Sequence, residues 1–187
     1  TSLEAYKQRA DIEQKAIFYI VGENEKILRS SPLLESYNKN NIEVLILDDK
    51  EIDEIITPTI GAYKDWEFKD LTSCEPPKVE QSEEAKKEVE EKFESILAKI
   101  KDKLGDAVKD VKVTNRLSES PSCVVKDVAD AQMAQMMQMM RAMGQEMPQS
   151  APILEINPEH EIVKKLNGCT DESTIEDVSW ILLDQAK

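Results

Sequence analysis

Glycine, cysteine and histidine are scarce in this sequence, and each scarcity argues against a class of protein. The 187 residues include five glycines, three cysteines and one histidine. Neither G-x-G-x-x-G nor G-x-x-x-x-G-K-[ST] occurs, so a phosphate-binding loop is not expected. The cysteines are odd in number and widely spaced, which argues against a disulfide framework or structural zinc and favours a reducing compartment. His160 has no candidate nucleophile nearby, so no catalytic residue is expected.

Basic residues and long apolar runs are also under-represented. The chain has 24 Lys and Arg against 38 Asp and Glu, a net charge of −14. This charge repels phosphate backbones and anionic lipids, so neither nucleic acid nor a membrane surface is an expected partner. No apolar run is long enough to span a bilayer, and the first residues show no signal-peptide pattern. They resemble the middle of a longer chain.

All seven methionines lie between Met133 and Met147, which we call the Met-rich segment. Most of them recur at the i, i+3, i+4, i+7 spacing of one face of a helix, while the glutamines fall largely elsewhere. The segment therefore predicts an amphipathic helix with a thioether surface. Because methionine side chains are unbranched and polarizable, such a surface can adapt to many apolar partners.

Two other interpretations of the Met-rich segment remain open. An apolar stripe at helical spacing often belongs to a core, although this one contains no Leu, Ile or Val after Val128. Thioethers are also ligands for soft metals such as Cu(I), so the alternative function is a metal-binding or small-molecule-binding α/β domain. No Cys or His lies within the segment to strengthen the metal hypothesis.

The first predicted domain comprises residues 1–75 and alternates helices with strands. A helix is predicted over Thr1–Glu13, opened by a Thr1-x-x-Glu4 capping box. Apolar runs predict strands at Ala16–Val21, Val44–Leu47 and, more weakly, Trp66–Leu71, and a helix with internal Pro58 is predicted between the last two. This order predicts a small parallel sheet in a three-layer α/β arrangement. Asp48 and Asp49, after the second strand, are weak candidates for a cation site.

The second predicted domain comprises residues 76–187 and is of the α+β class. It begins with a charged helix, Ser82–Leu104, followed by three short strands that should form a sheet packed by helices. The Met-rich segment lies between the second and third strands and should be an exposed amphipathic helix. Asn157–Pro158 and Ser173-x-x-Glu176 are predicted to open the last two helices. The last helix carries apolar residues at Ile175, Val178, Ile181 and Leu182.

Short motifs along the whole chain occur in an order that resembles one known family. They are Leu3–Tyr6, Gln14–Gly22, Ser31–Glu35, Glu43–Leu45, Ile52–Glu54, Asn115–Ser118, Glu155–Pro158 and Trp180–Ala186. Each is weak alone, but together they closely resemble the ninety-kilodalton heat-shock chaperone family in its bacterial form. The resemblance implies that residues 1–75 end the family's middle domain and that residues 76–187 form its C-terminal dimerisation domain.

The resemblance also implies a function and candidate sites. We expect a cytoplasmic chaperone that binds unfolded or partly folded client proteins and forms homodimers. Ile55 stands where some relatives carry a tryptophan in a client-binding surface. The client-binding residues predicted from spacing and resemblance are Met133, Met136, Met137, Met139, Met140, Met143 and Ile55. The predicted dimerisation residues are Ile175, Val178, Ile181 and Leu182.

The same resemblance places ATP chemistry outside this chain. The family's ATP- and magnesium-binding domain would precede Thr1, so we expect this segment to hold no cofactor and to be no enzyme. Its last dimerisation helix would follow Lys187, so we expect weakened self-association.

Overall fold

The computed structural model describes residues 1–10, 14–76, 83–127 and 150–187. The Met-rich segment lies outside the described residues. The chain forms two compact units, Thr1–Pro77 and Lys78–Lys187. Each unit combines helices with one small sheet, so the expectation of a mixed α/β fold is confirmed.

The first unit is built around a four-stranded sheet. Its elements are α1 (Leu3–Arg9), β1 (Ala16–Val21), α2 (Glu25–Arg29), a 3-10 turn (Pro32–Leu34), α3 (Glu35–Lys39), β2 (Val44–Leu47), α4 (Lys50–Ile60), β3 (Ala62–Tyr63) and β4 (Trp66–Asp70). The strand order is β2-β1-β4-β3. β1 runs parallel to both β2 and β4, and β3 pairs antiparallel with β4.

The core of the first unit surrounds β1, whose apolar residues are buried from Ala16 to Ile20. A continuous apolar run is expected of a central parallel strand, because helices cover both of its faces. The ring of Phe18 meets Tyr37 edge-on, with ring centroids 5.0 Å apart. Tyr6 of α1 is fully buried against this core, so α1 is held by an aromatic anchor.

The β3–β4 hairpin was not predicted from the sequence. β3 has two residues, and the turn after it places Lys64 and Asp65 at positive φ. Gly61 ends α4 with φ 67°, a conformation that glycine adopts without strain. Hydrogen bonds from Lys7 Nζ to Lys64 O and from Tyr63 Oη to Glu4 tie the turn to α1. Tertiary contacts therefore stabilise a turn that local preferences disfavour.

The second unit contains one long helix, a three-stranded sheet and two C-terminal helices. Its elements are α5 (Glu83–Leu104), a 3-10 turn (Gly105–Ala107), β5 (Asp110–Val113), β6 (Ser122–Val125), β7 (Ile153–Ile156), α6 (Glu161–Asn167) and α7 (Glu172–Ala186). The strand order is β5-β7-β6. β7 runs parallel to β5 and antiparallel to β6.

The core of the second unit lies between α5, α7 and the sheet. One side of α5 is buried through Phe93, Ile96, Ile100 and Leu104, and β7 contributes Leu154 and Ile156. The hydroxyl of Ser122 in β6 donates to the main-chain oxygen of Leu182 in α7 at 2.7 Å. The Arg116 Nε lies 2.7 Å from Glu155 Oε2, and both side chains are largely buried.

Three predicted helix starts were wrong by a few residues. α1 is capped by Ser2, whose hydroxyl accepts from the Ala5 N–H, rather than by Thr1. α6 is capped by His160, and α7 by Asp171 rather than Ser173. Short polar side chains near a helix start compete for the same amide groups, so packing of the helix selects among them.

Candidate functional site

A row of exposed isoleucines lies on α4 of the first unit. We call it the isoleucine ridge, and it consists of Ile52, Ile55, Ile56 and Ile60. The four side chains are 48–57% exposed. Their spacing of i, i+3, i+4 and i+8 places them on one face of the helix. The amphipathic helix therefore directs its apolar side outward.

The side of α4 that contains Thr57 faces the sheet. α4 packs against β1 and β4, and Thr57 is its buried residue. The helix is fixed at both ends, since Asp49 accepts from the Ile52 N–H and Gly61 donates to Thr57 O. This arrangement exposes the ridge on a well-defined helix. Full burial of an isoleucine is worth about 1.5–3 kcal/mol, so an uncovered row of four is typical of a binding surface.

Acidic residues border the ridge near the start of α4. Glu51 and Asp53 lie in the first turn, and Lys50 pairs with Glu23 at 3.1 Å. The last turn of α4 contains no basic residue. The ridge therefore combines apolar contact with negative charge, and this combination disfavours phosphate-bearing ligands.

The C-terminal helix α7 has a buried side and an exposed side. Ile175 and Leu182 are fully buried in the core of their own unit. Val178 is partly buried against the same core. Ile181 is 57% exposed, and Trp180 is also exposed. The outer surface of α7 therefore presents Trp180 and Ile181.

Comparison with known proteins identifies the family. The sequence profile of the Hsp90 protein family matches residues 1–187. The chain belongs to the Hsp90 family. It is 85% identical over 187 residues to the chaperone protein HtpG of Aliarcobacter butzleri and 56% identical over 186 residues to that of Sulfurovum sp.. The HtpG of Treponema denticola is 49% identical over 190 residues.

These matches cover the whole chain but only a part of each Hsp90 relative. All three alignments include 100% of this chain and 29–30% of the relative. The chain therefore spans about 30% of the length of the curated relatives that it matches. The prediction of a bacterial Hsp90-type family from the ordered motifs is confirmed.

The predicted client-binding residues of this Hsp90 chain fall into two groups. Ile55 lies in the isoleucine ridge. Met133, Met136, Met137, Met139, Met140 and Met143 lie outside the described residues, so their arrangement stays a prediction. Sequence reasoning missed Ile52, Ile56 and Ile60 as surface residues. Their helical spacing was visible in the sequence, but the same spacing is expected of a core-facing helix.

The predicted dimerisation residues are split by the structure of α7. Ile181 is accessible, whereas Ile175 and Leu182 contact α5 and the sheet through the core of their own unit. A partner chain has no access to these two side chains unless the unit opens. The assignment of all four residues to a dimer interface stays a prediction. Among them, Ile181 is exposed and Val178 is partly exposed.

The candidate metal ligands of the described residues are dispersed, and several of them cap helices. Within residues 1–10, 14–76, 83–127 and 150–187, no three His, Cys, Asp or Glu side chains cluster suitably to hold a metal ion. Asp49, a weak cation candidate, serves as the N-cap of α4. His160 caps α6 by accepting from the Ile162 N–H. No helix in the described part of the chain is long and apolar enough to cross a membrane.

Burial changes the acid–base chemistry of two tyrosines in the first unit. Desolvation raises the pKa of Tyr6, although hydrogen bonds from the Phe18 N–H and from Gln14 oppose the change. Desolvation and nearby acidic groups likewise raise the pKa of Tyr19 well above its ordinary value. Both hydroxyls are protonated at neutral pH, and that of Tyr6 forms hydrogen bonds with the main chain of Glu43 and of Phe18.

Proposed function

We propose that this chain is the client-binding and self-associating part of a cytoplasmic bacterial Hsp90 chaperone. The observation that carries the proposal is the isoleucine ridge on α4. Unfolded and partly folded proteins differ from native ones in exposing apolar side chains, and an exposed apolar row binds such segments without reading their sequence. The ridge includes Ile55, the residue that resemblance to the family assigns to client binding.

Binding at the ridge is expected to be weak and reversible. Four half-exposed isoleucines bury limited additional area, and association itself costs several kcal/mol. A chaperone needs this balance, because a client must leave in order to fold. The acidic residues beside the ridge would favour client segments that mix apolar and basic residues.

The Met-rich segment supplies a second client-binding surface in this proposal. The support is its composition and helical spacing, which predict an adaptable thioether face. Clients of different shapes would contact Met136, Met139 and Met140 together with neighbouring methionines. Two separate apolar surfaces on one chain raise the apparent affinity for an extended client, because the second contact is intramolecular.

Self-association is the second part of the proposed role. The exposed side of α7 presents Trp180 and Ile181. Aromatic and aliphatic side chains of this kind commonly form the centre of protein interfaces. We propose that they contribute to a homodimer contact, with Val178 at its border. In the whole protein, ATP and magnesium would bind a different domain, and this segment would act by binding alone.

Aggregation suppression tests the proposed client surface. The 187-residue chain should slow the light-scattering increase of heat-denatured citrate synthase. The double variant Ile52→Gln/Ile56→Gln should need about threefold more protein for the same protection, since it removes apolar contact area. Ile27→Gln is the control at a single site away from the ridge, because Ile27 is an exposed isoleucine of α2 in the same unit. Equal loss of protection in both variants would contradict the site assignment.

Two replacements of Ile55 are expected to change protection from aggregation in opposite directions. Ile55→Trp adds an aromatic face to an already exposed position and should improve protection. Ile55→Gln should reduce it. Improvement by both substitutions, or by neither, would count against a role of Ile55 in client contact.

A further inference from the structure

A groove in the second unit lies between the flank of α5 and the outer edge of β5. It has a volume of about 710 Å³. From β5 it is lined by all four residues of the strand. From α5 it is lined by Lys87, Glu90, Glu91, Glu94, Leu97, Ala98 and Lys101. Helix and strand belong to the same unit, so the groove is a feature of one folded body.

β5 is an edge strand in the described part of the chain. It pairs with β7 on one side, and no described strand pairs with it on the other. The register pairs Val113 with Ile156, and the Thr114 N–H donates to Ile156 O at 2.9 Å. Since successive residues direct their main-chain groups to opposite sides, the N–H and C=O groups of Val111 and Val113 face the groove.

The chain protects this edge only in part. The side chain of Asp110 accepts a hydrogen bond from the Val111 N–H at 2.9 Å. Asp110 also pairs with Lys112 at 3.5 Å. A carboxylate bonded to the neighbouring amide is a local contact that an incoming strand can replace. No comparable bond is made by the Val113 amide among the described residues.

The helix side of the groove carries a net negative charge, since three glutamates lie there beside Lys87 and Lys101. Glu90, Glu91 and Glu94 are exposed, and none of them forms an ion pair with another described residue. The Lys101 ammonium is occupied, since it donates to Gly105 O and Val108 O at 2.7 and 2.6 Å. The three carboxylates outnumber the two ammonium groups on this side, and Lys87 is the lysine left to oppose them, so the remaining negative charge favours a cationic occupant.

The floor of the groove is apolar. Leu97 and Val113 are half-buried there, and Ala98 is exposed between them. Because side chains alternate along a strand, a segment lying in the groove would direct every second residue towards this floor. Small or β-branched residues fit such positions, and the carboxylates of α5 are then within reach of long basic side chains.

We propose that this groove accepts an extended, basic segment of a partner protein as an additional strand beside β5. Main-chain hydrogen bonds to Val111 and Val113 would supply sequence-independent affinity, and the α5 carboxylates would select lysine or arginine. The isoleucine ridge, which we propose binds apolar side chains of clients, lies in the first unit, whereas this groove lies in the second. Through this groove, the protein would bind both the backbone and the side chains of an extended partner segment.

Binding of synthetic peptides to the 187-residue chain tests the proposal. The probe is an eight-residue peptide of alternating lysine and valine, titrated by fluorescence anisotropy at 0.15 M salt. A second peptide has glutamate in place of lysine, and a third is N-methylated at alternate residues. Binding of the first with at least about tenfold weaker binding of both others is the expected result. Equal binding of the methylated peptide would overturn strand addition.

Two charge variants locate the site on the helix. Glu90→Lys/Glu94→Lys should weaken binding of the lysine–valine peptide by about tenfold. Glu88→Lys/Asp102→Lys is the matched control, since both residues are exposed on α5 but do not line the groove. It should change affinity by less than about twofold, because screening at this salt limits distant charge effects. Equal weakening in the two variants would indicate non-specific attraction and reject the groove.

Amide hydrogen exchange tests whether the peptide contacts the main chain of β5, and whether the groove is instead occupied by a second copy of the chain. The Val113 amide should exchange about tenfold more slowly with saturating lysine–valine peptide. Unchanged exchange at Val113 would overturn the proposal. Protection that is already present without peptide and grows with protein concentration would also overturn it, because the occupant would then be a second copy of the chain.

Discussion

The hydroxyl of Tyr6 donates a hydrogen bond to the main-chain oxygen of Glu43 at 2.7 Å. The same hydroxyl accepts from the Phe18 N–H at 3.1 Å and from Gln14 Nε2 at 2.9 Å. One buried atom thus connects α1 with β1 and with the residue before β2. The side chain of Tyr6 is fully buried.

Removal of this hydroxyl should destabilise the first unit. Tyr6→Phe leaves the Phe18 N–H and the Glu43 carbonyl without their partner, at a cost of about 1–3 kcal/mol. Urea unfolding followed by Trp66 fluorescence in a Trp180→Phe background measures the change. Tyr63→Phe is the control, since its hydroxyl bonds an exposed Glu4 and should matter by less than about 0.5 kcal/mol. Equal effects would contradict the role of the buried network.

Gly22 is predicted to be intolerant of a side chain. A Cβ at this position would lie 2.8 Å from Leu28 Cδ2, closer than real contacts. Gly22→Ala should therefore cost about 1–3 kcal/mol through overpacking. Gly168→Ala has its nearest neighbour at 3.8 Å and no positive φ, so it should be nearly neutral in its own unit. Thermal unfolding compares the two, and a neutral Gly22→Ala would mean that Leu28 moves aside freely.

The buried pair of Arg116 and Glu155 predicts an asymmetric mutational result. The side chains are 7% and 15% exposed, with Nε and Oε2 2.7 Å apart. Arg116→Met should destabilise the second unit by about 3–5 kcal/mol, because it leaves the Glu155 carboxylate buried without its cation. Arg116→Met/Glu155→Met should recover much of that loss. Chemical unfolding monitored by Trp180 fluorescence in a Trp66→Phe background tests this, and a double variant as unstable as the single one would refute it.

The N-cap of α7 predicts an acid-sensitive contribution to stability. Hydrogen bonds from the Thr174 hydroxyl and N–H lower the pKa of Asp171 below its ordinary value of 3.8. Because the pKa of Asp171 is lower in the folded state than in the unfolded state, the ionised side chain stabilises the fold. This stabilisation is complete above the pKa of the unfolded state and is lost as the pH falls through the pKa of the folded state. Asp171→Ala should therefore lower the melting temperature of the second unit at pH 7 more than at pH 2. An equal effect at both values would argue against an ionised cap.

The two sides of α7 should respond differently to substitution. Leu182→Ala removes a fully buried side chain and should cost about 2–5 kcal/mol of stability. Ile181→Gln should leave stability within about 0.5 kcal/mol but reduce self-association. Sedimentation velocity over a range of concentrations measures the second effect. A tight dimer that Ile181→Gln leaves intact would place the interface elsewhere.

The strands were the most accurately predicted elements. The runs Ala16–Val21 and Val44–Leu47 have the bounds expected from the sequence. Continuous apolar residues followed by glycine or aspartate predict where both strands end. They do not predict burial, since β1 is buried whereas β2, at the edge of the sheet, is only half-buried. Helix starts were less accurate, since Ser2 and Asp171 act as caps within two residues of Thr1 and Ser173. Neighbouring polar side chains are chemically similar caps, and sequence alone does not rank them.

The β3–β4 hairpin shows a second kind of limit. Its turn holds Lys64 and Asp65 at positive φ, where non-glycine residues are uncommon. Contacts with Lys7 and Glu4, far away in sequence, compensate for that conformation. Such contacts exist only after α1 has packed on the sheet, so local sequence carries no signal for them.

The sequence by itself determined the family, the alternation of helices and strands, and the periodicity that gives α4 and α7 an apolar face. Only the tertiary structure decided where those faces point. Ile55 and its neighbours in α4 face outward, whereas Ile175 and Leu182 in α7 face inward. The physical reason is that helical spacing defines a face without specifying what covers it. The residues that cover a helix face are distant in the chain, and their arrangement determines whether that face becomes part of a core or stays exposed as a binding surface.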